Sequence, residues 1–361
     1  MRRSADALMG GLGRLLVRIF FRRVEVEGGD QVARHTPTVL IANHLNGLVD
    51  GLLLMATLRR FPRFLGKSTL FKIAPLWPLL KLAGVVPVYR AKDGQSTSRN
   101  SSAFATCREL LARGGVVALF PEGISHDEPE LQPLKTGAAR IALGASVDDH
   151  VAGVVVQPVG IVYDEKARFR SVALVRVGTP FPVTGWDDLY RGDDRRAVID
   201  LTDAMAKALA ALSPTYGSWA DALTFRQIAE VVARTETTVP SEVAFSDRDK
   251  LARAIASAER SDRRGVLEIR TVFASYRRAL DVVGLSDAQL TANYRGWWLR
   301  VLFLWSVLKV AAAAPFAAAG AVVHIVPYEA IKQIAKTPTN EGMKATVKLL
   351  GCLATFTVLY A

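Results

Sequence analysis

From Val24 to about Val183, short β-branched runs alternate with stretches of helical periodicity, and few folds accept that alternation. Strands are expected at Val24–Glu27, Thr38–Ala42, Arg63–Lys67, Val85–Val88, Val116–Phe120, Val154–Val162 and Ser171–Val177. Helical stretches lie between them at about Leu48–Leu58, Phe71–Leu82, Ser96–Arg113 and Thr136–Gly144. Such a pattern predicts an α/β sheet covered by helices on both faces. Chemistry in sheets of this kind gathers where strands end, which is where His44 and Glu122 fall.

The chain has 361 residues, too many for one average domain. From about Ala197 to Gln289 no strand is expected. Ala- and Arg-rich helices fill that stretch at Ala204–Leu212, Thr224–Ala233, Asp249–Ala258 and Val266–Val283, with breaks near Pro214, Pro240 and Gly284. Leu299 to Val326 is then a run of 28 residues with one lysine, one arginine, one histidine and one proline. A bilayer core needs about 20 apolar residues in a helix, so this run is long enough to span. Trp297, Trp298 and Trp305 near its start and Tyr328 at its end suit an interfacial belt. A second apolar run begins near Val347 and is still going at Ala361. From Leu349 it reaches only about 20 Å as a helix, short of a roughly 30 Å hydrocarbon core. It is expected either to be re-entrant or to continue beyond Ala361. Basic residues flank both sides of the first run, so orientation is not readable.

The N-terminus is basic, but Arg14 and Arg18 break its apolar stretch and no small-residue cleavage site follows. As a helix it places Leu8, Leu12, Leu15, Leu16 and Ile19 on one face and the two arginines opposite. Two readings stay open, a helix lying in a membrane interface and one packed on the domain. The expected organisation is an amphipathic helix over 1–23, an α/β domain over 24–195, a helical extension over 196–293 and a membrane segment over 294–361.

A net charge of +12 favours an anionic partner: nucleic acid, acidic membrane or phosphorylated substrate. Neither zinc-knuckle cysteines nor an aromatic and basic ribonucleoprotein motif is present, which ranks nucleic acid last. Two cysteines, Cys107 and Cys352, argue against a disulfide framework.

The segment Ile41-Ala-Asn-His-Leu-Asn-Gly-Leu-Val-Asp50 carries the chemistry. An alcohol is a weak nucleophile near neutral pH, and its attack on a thioester needs a base to take the proton. Imidazole suits that task, best when a carboxylate holds its other nitrogen in one tautomer. His44 leaves a strand and Asp50 falls where a helix begins, so the two side chains can meet. The bland alternative is an aspartate that only caps the helix. His126 and Asp127 have no third or fourth ligand at suitable spacing, so no metal site is expected; they are expected to organise a loop. Cys107 lies in a helical stretch without an evident basic neighbourhood and is not expected to be a nucleophile.

Asn43-His44…Asp50, Gly84-Val-Val-Pro-Val-Tyr-Arg90, Phe120-Pro-Glu-Gly123 and Val156-Gln-Pro158 occur in the order of the four blocks of the glycerolipid acyltransferases, which acylate glycerol 3-phosphate or lysophosphatidate. The resemblance covers roughly residues 35–180. The longer run Phe120–Pro129, with Pro133-Leu-Lys-Thr-Gly137 and Phe169-Arg-Ser171, resembles the yeast-type dual-specificity glycerol-3-phosphate/dihydroxyacetone-phosphate acyltransferases and their bacterial relatives. One departure stands out. Most of the superfamily puts four residues between histidine and aspartate; here Leu45, Asn46, Gly47, Leu48 and Val49 make five. Within a helix the extra residue would turn Asp50 by about 100°; in the loop, Gly47 offers the freedom to absorb it.

The resemblance implies a mixed sheet in the α/β unit, with His44 and Asp50 as the catalytic pair. It implies substrate-binding roles for Asn43, Arg90, Glu122, Gly123, Lys135 and Pro158, with Lys67 and Arg170 as weaker phosphate candidates. No cofactor is implied beyond acyl-CoA or acyl carrier protein as co-substrate. The partners would be membrane lipids and a glycerol phosphate acceptor, and the catalytic domain would lie on the cytoplasmic side of a membrane. Oxyanion donors are not identified by the sequence; loop N–H groups near Gly47 or Gly123 are the ones to consider. Competing readings are a lysophospholipid-remodelling acyltransferase and a non-catalytic lipid-binding membrane protein.

Overall fold

The structure, a computed structural model, describes residues 2–58, 60–73, 76–89, 100–166, 168–234, 242–290 and 296–334, with 348, 351, 352 and 355. It divides into two units: the first is formed by Met1–Pro214 and the second begins at Thr215.

Eight strands build one sheet in the first unit: β1 (Phe21–Glu27), β2 (Thr38–Ala42), β3 (Arg63–Lys67), β4 (Val86–Val88), β5 (Val116–Leu119), β6 (Val155–Tyr163), β7 (Ser171–Val177) and β8 (Phe181–Pro182). The order is β1-β7-β6-β2-β5-β3-β4, with β8 beside β6. β6 runs antiparallel to β7 and β8, while the remaining pairs are parallel, so the sheet is mixed. All five residues of β2 are buried. That is the mark of a central strand covered on both faces, and it explains an unbroken apolar run without alternation.

Helices α1 (Arg2–Phe20), α2 (Leu48–Thr57), α3 (Trp77–Leu82), α4 (Asn100–Ala112), α5 (Gly137–Leu143), α6 (Asp187–Gly192) and α7 (Asp194–Ala210) complete this unit. The helix expected over 71–82 forms as two pieces, a 3-10 turn at Ser68–Lys72 and then α3. Pro78 sits in the first turn of α3, where its fixed φ and missing N–H are tolerated. On one face, Val39 and Ile41 of β2 and Val117 and Leu119 of β5 share a core with α4, α5 and α7. Ala103, Ala138, Ala139 and Ala197 occupy the helix side of that core, and small side chains let helices approach the sheet closely.

The boundary expected at 195 falls instead after Pro214. α7 belongs to the α/β unit because Val198, Leu201, Met205 and Leu209 are buried in the sheet's own core. The N-terminal segment is not separate either. α1 buries Met9, Val17 and Phe20, and a Cβ on Gly13 would lie 3.6 Å from Met55 Cβ of α2. α1 therefore packs through a glycine–valine face, and Leu8, Leu15 and Ile19 of the leucine face stay exposed.

The second unit contains α8 (Trp219–Ala233), α9 (Phe245–Ala258), α10 (Arg263–Val283), α11 (Asp287–Leu290) and α12 (Gly296–Ile334). Ser218 caps α8 by accepting from Asp221 N–H. Phe225, Ala229, Ala252 and Val266 form its core with Tyr216. A buried Arg226–Asp249 ion pair, 3.3 Å apart, is completed by the Tyr216 hydroxyl at 3.0 Å from Asp249. α12 is 39 residues long with Pro315 and Pro327 inside it. Its Leu299–Ile325 stretch has a mean hydropathy of 1.8 and none of it is buried. At 1.5 Å per residue, 27 residues reach about 40 Å. The second apolar run, apart from residues 348, 351, 352 and 355, lies outside the described residues.

Candidate active site

β5, β2 and β6 are adjacent and parallel, so their carboxyl ends meet at one edge of the sheet. His44 follows β2, Glu122 follows β5 and Tyr163 closes β6. Three strands remote in sequence thus deliver three polar side chains to one place, the usual location of sites in open α/β sheets.

His44 Nδ1 lies 2.8 Å from Asp50 Oδ2. A carboxylate only accepts, so Nδ1 carries the proton and Nε2 keeps its lone pair. The imidazole stacks on Phe120, with centroids 4.1 Å apart and planes within 12°. Phe120 in turn stacks on Phe64. The His44 side chain keeps 18% of its surface open, and Nε2 has no hydrogen-bond partner among the described residues. The result is a base held on one nitrogen, backed by an aromatic wall and accessible on the other.

Asp50 is fully buried and lies in the first turn of α2. Its Oδ2 also accepts from Asn46 N–H at 2.8 Å. Asn46 precedes the helix's N-cap residue, Gly47, so this oxygen ties the loop to the His44 contact and does not cap α2. The fifth intervening residue is absorbed before the helix. Gly47 has φ 53° and ψ −127°, a conformation open to glycine almost alone.

Glu122 is buried and turned inward. Oε1 accepts from His44 N–H at 2.6 Å, and Oε2 accepts from His126 Nε2 at 2.5 Å and Gln132 N–H at 2.8 Å. His126 Nδ1 accepts from Glu128 N–H at 3.2 Å, which makes Nε2 its protonated nitrogen. His126 N–H also donates to His44 O at 3.2 Å. Glu122 and His126 thus grip the backbone of His44 from both sides, and the carboxylate expected to meet substrate is satisfied by the protein itself. Asn43 is similarly occupied: its side chain accepts from Ile161 N–H at 2.6 Å and donates to Ile161 O at 2.9 Å. Pro158 lies within β6 opposite Ile41, buried in the sheet. These three residues hold β2, β5 and β6 in place.

Gly123 has φ +71°, and a Cβ there would fall 2.7 Å from Lys135 Nζ. The exposed Lys135 side chain therefore lies across the glycine, one residue from Glu122. Lys166, in the loop after β6, pairs with Asp127, and its carbonyl accepts from Asn46 Nδ2 at 2.9 Å. Arg90 lies outside the described residues. Arg170 donates its N–H to Phe20 O at 2.7 Å and its guanidinium to Arg18 O at 3.0 Å, closing the carbonyl end of α1. Lys67 ends β3. The N–H groups of Gly47 and Gly123 are engaged with Ser125 Oγ (3.1 Å) and Phe120 O (2.9 Å), which removes both as ready oxyanion donors. Cys107 is buried, and burial pushes its thiol up to about 12; it belongs to the core. Among the described residues no cluster of three or more metal-ligating side chains occurs.

Tyr163 was not visible in the sequence pattern. Its buried hydroxyl donates to Asp50 Oδ1, and its ring stacks on Phe21 with centroids 5.8 Å apart. Phe120 and Ser125 were also missed as individual contributors, although both lie in the Pro-Glu-Gly run.

Residues 23–162 match the Acyltransferase family model. Glycerol-3-phosphate O-acyltransferase 2 of Saccharomyces cerevisiae is 25% identical over 270 residues, covering 73% of this chain but 36% of the yeast protein. The 1-acyl-sn-glycerol-3-phosphate acyltransferase alpha of Ovis aries is 31% identical over 180 residues, 49% of this chain and 59% of that one. The crystal structure of the 1-acyl-sn-glycerophosphate acyltransferase of Thermotoga maritima is similar with a TM-score of 0.43 and 22% identity, covering 58% of this chain and 81% of that one. This chain spans about a third of the yeast relative's length. Residues 23–162 are therefore similar to the Acyltransferase family, and the relatives they match are glycerol-3-phosphate and 1-acyl-sn-glycerol-3-phosphate acyltransferases.

Proposed function

We propose that the protein is a membrane-bound O-acyltransferase that moves a fatty acyl group from acyl-CoA or acyl carrier protein to a hydroxyl of glycerol 3-phosphate or lysophosphatidate. The observation that carries this reading is the 2.8 Å contact of His44 Nδ1 with Asp50, which leaves Nε2 open at the carboxyl edge of the sheet. His44 Nε2 takes the acceptor's hydroxyl proton as the oxygen attacks the thioester carbonyl carbon. The C–S bond then breaks and the departing thiolate takes the proton back from the imidazolium. Asp50 keeps the ring in one tautomer and stabilises its positive form. No acyl-enzyme is needed. Lys135, whose exposed side chain lies across Gly123 beside Glu122, supplies charge for the acceptor's phosphate. The exposed leucine face of α1, with Arg14 and Arg18 beside it, supports a seat at the bilayer surface on the cytoplasmic side.

Purified full-length protein assayed with glycerol 3-phosphate, lysophosphatidate and a lysophospholipid of larger head group, each with acyl-CoA and acyl carrier protein, tests the reading. We expect thiol release with one of the first two acceptors, and His44→Ala to lower kcat by at least about a thousandfold with the melting temperature retained. Lipid binding without thiol release from any donor would refute it.

A further inference from the structure

The Asp50 carboxylate has two oxygens with different jobs. Oδ2 serves His44 Nδ1 and Asn46 N–H, each at 2.8 Å. Oδ1 receives the hydroxyl of Tyr163, which comes from the end of a different strand. Asp50 is 0% and Tyr163 4% exposed, so water does not compete for this contact. The phenol is itself immobile. Its ring is stacked on Phe21 at an interplanar angle of 20°, and its backbone is registered against Ala173 of β7. Asn43, one residue before His44, clamps Ile161, two residues before Tyr163, which fixes the spacing between the two strand ends.

We propose that Tyr163 is a positioning residue of the His44–Asp50 pair. Its hydroxyl holds the plane of the carboxylate and draws charge onto Oδ1, and so sets how strongly Oδ2 supports the imidazole. The inference rests on the acyl-transfer reading of the site, since it concerns the base of that reaction. Two effects follow from donation to a buried carboxylate. A carboxylate bonded at both oxygens cannot rotate about its Cβ–Cγ bond, so His44 is presented in one orientation. A donated proton also makes the carboxylate a weaker acceptor towards imidazolium, so the imidazole loses its proton more readily and is a competent base to lower pH. Burial and the facing Asp50 charge hold the Tyr163 phenol well above its ordinary range, so it stays a donor throughout the working range. The other ionisable groups near the pair, among the described residues, are Glu122 and His126, which hold the His44 backbone, and, beyond Asn46, the Lys166–Asp127 pair.

Tyr163→Phe removes the hydroxyl and keeps the ring stack. In the full-length protein, with glycerol 3-phosphate or lysophosphatidate and acyl-CoA from pH 5 to 9, kcat is expected to fall about tenfold with KM within about twofold. The acid limb of the kcat/KM profile moves to higher pH by about half a unit or more. Site-specific 3-fluorotyrosine at position 163, a stronger donor of unchanged shape, moves that limb the opposite way. His44, identified in histidine-labelled NMR spectra by its loss in His44→Ala, titrates with the same two displacements, and this readout needs no turnover. Opposite displacements from the two variants support the proposal. Superimposable profiles and titrations, or displacements in one direction, overturn it. If Tyr163→Phe does not fold, the fluorotyrosine protein decides alone. If no acceptor is turned over by the unmodified protein, the acyl-transfer reading fails and the titration still decides the role of Tyr163.

Discussion

Two carboxylates fix His44: Asp50 holds the ring and Glu122 holds the backbone. Glu122 is the residue where a ligand role and a fold role can be told apart. Its three donors are the His44 N–H, the Gln132 N–H and His126 Nε2. In Glu122→Gln one oxygen becomes an NH2 group, and either placement sets a donor against a donor. Leaving such buried groups unpaired costs about 2–3 kcal/mol. The expected outcome is a melting temperature lower by roughly 5–10 °C together with reduced kcat. Calorimetry and kinetics on one preparation check it. A side chain that only contacted substrate would raise KM and leave the melting point alone.

At the scale of elements, the turn between β2 and α2 carries the most information. Asp50 reaches His44 only because Gly47 takes up the extra residue before the helix begins, with φ 53° and ψ −127°. An alanine there is strained by about 1–3 kcal/mol. Relief of that strain by rewinding the loop would turn Asp50 away from the imidazole. Gly47→Ala should therefore lose more activity than stability, with kcat down at least about tenfold and the melting temperature down by only several degrees. Elements whose limits depend on local chemistry were legible in the sequence. β2, β3 and β7 start and stop where their runs predict, at Thr38–Ala42, Arg63–Lys67 and Ser171–Val177. α7 was assigned to the wrong unit because an amphipathic helix shows the same apolar stripe whichever core it enters. The site divides in the same way. The His44–Asp50 contact spans six residues and was readable from spacing; the Tyr163–Asp50 contact spans 113 and exists only because β6 lies beside β2. The resemblance implies substrate roles for Glu122, Asn43 and Pro158; their contacts within the fold were not legible, because a motif records that a residue type is needed and not which neighbours it binds.

For the molecule as a whole, two apolar surfaces of different kinds bear on contact with a bilayer. α1 keeps Leu8, Leu15 and Ile19 exposed while packing through its opposite side, which suits shallow interfacial contact. α12 exposes Leu304, Val310 and Phe316 by 66%, 68% and 80%, and in water an apolar helix left this open would associate or aggregate. The two surfaces respond differently to treatment. High salt and alkaline carbonate release helices held at an interface, whereas a spanning helix stays in the bilayer. Val310→Asp with Phe316→Asp places two carboxylates near the middle of the span. At about 3–4 kcal/mol each relative to the apolar residues, they exceed what the remaining leucines and valines supply at a few tenths each. The full-length protein is expected to resist carbonate extraction, and the double variant to move into the soluble or aggregated fraction. The α/β unit has its own core, so His44-dependent acyl transfer to a water-soluble acceptor should survive in any variant protein that remains folded, measured in detergent micelles. Carbonate release of both proteins alike would mean that α12 does not span. Loss of transfer in micelles as well would mean that the helix supports the α/β unit directly.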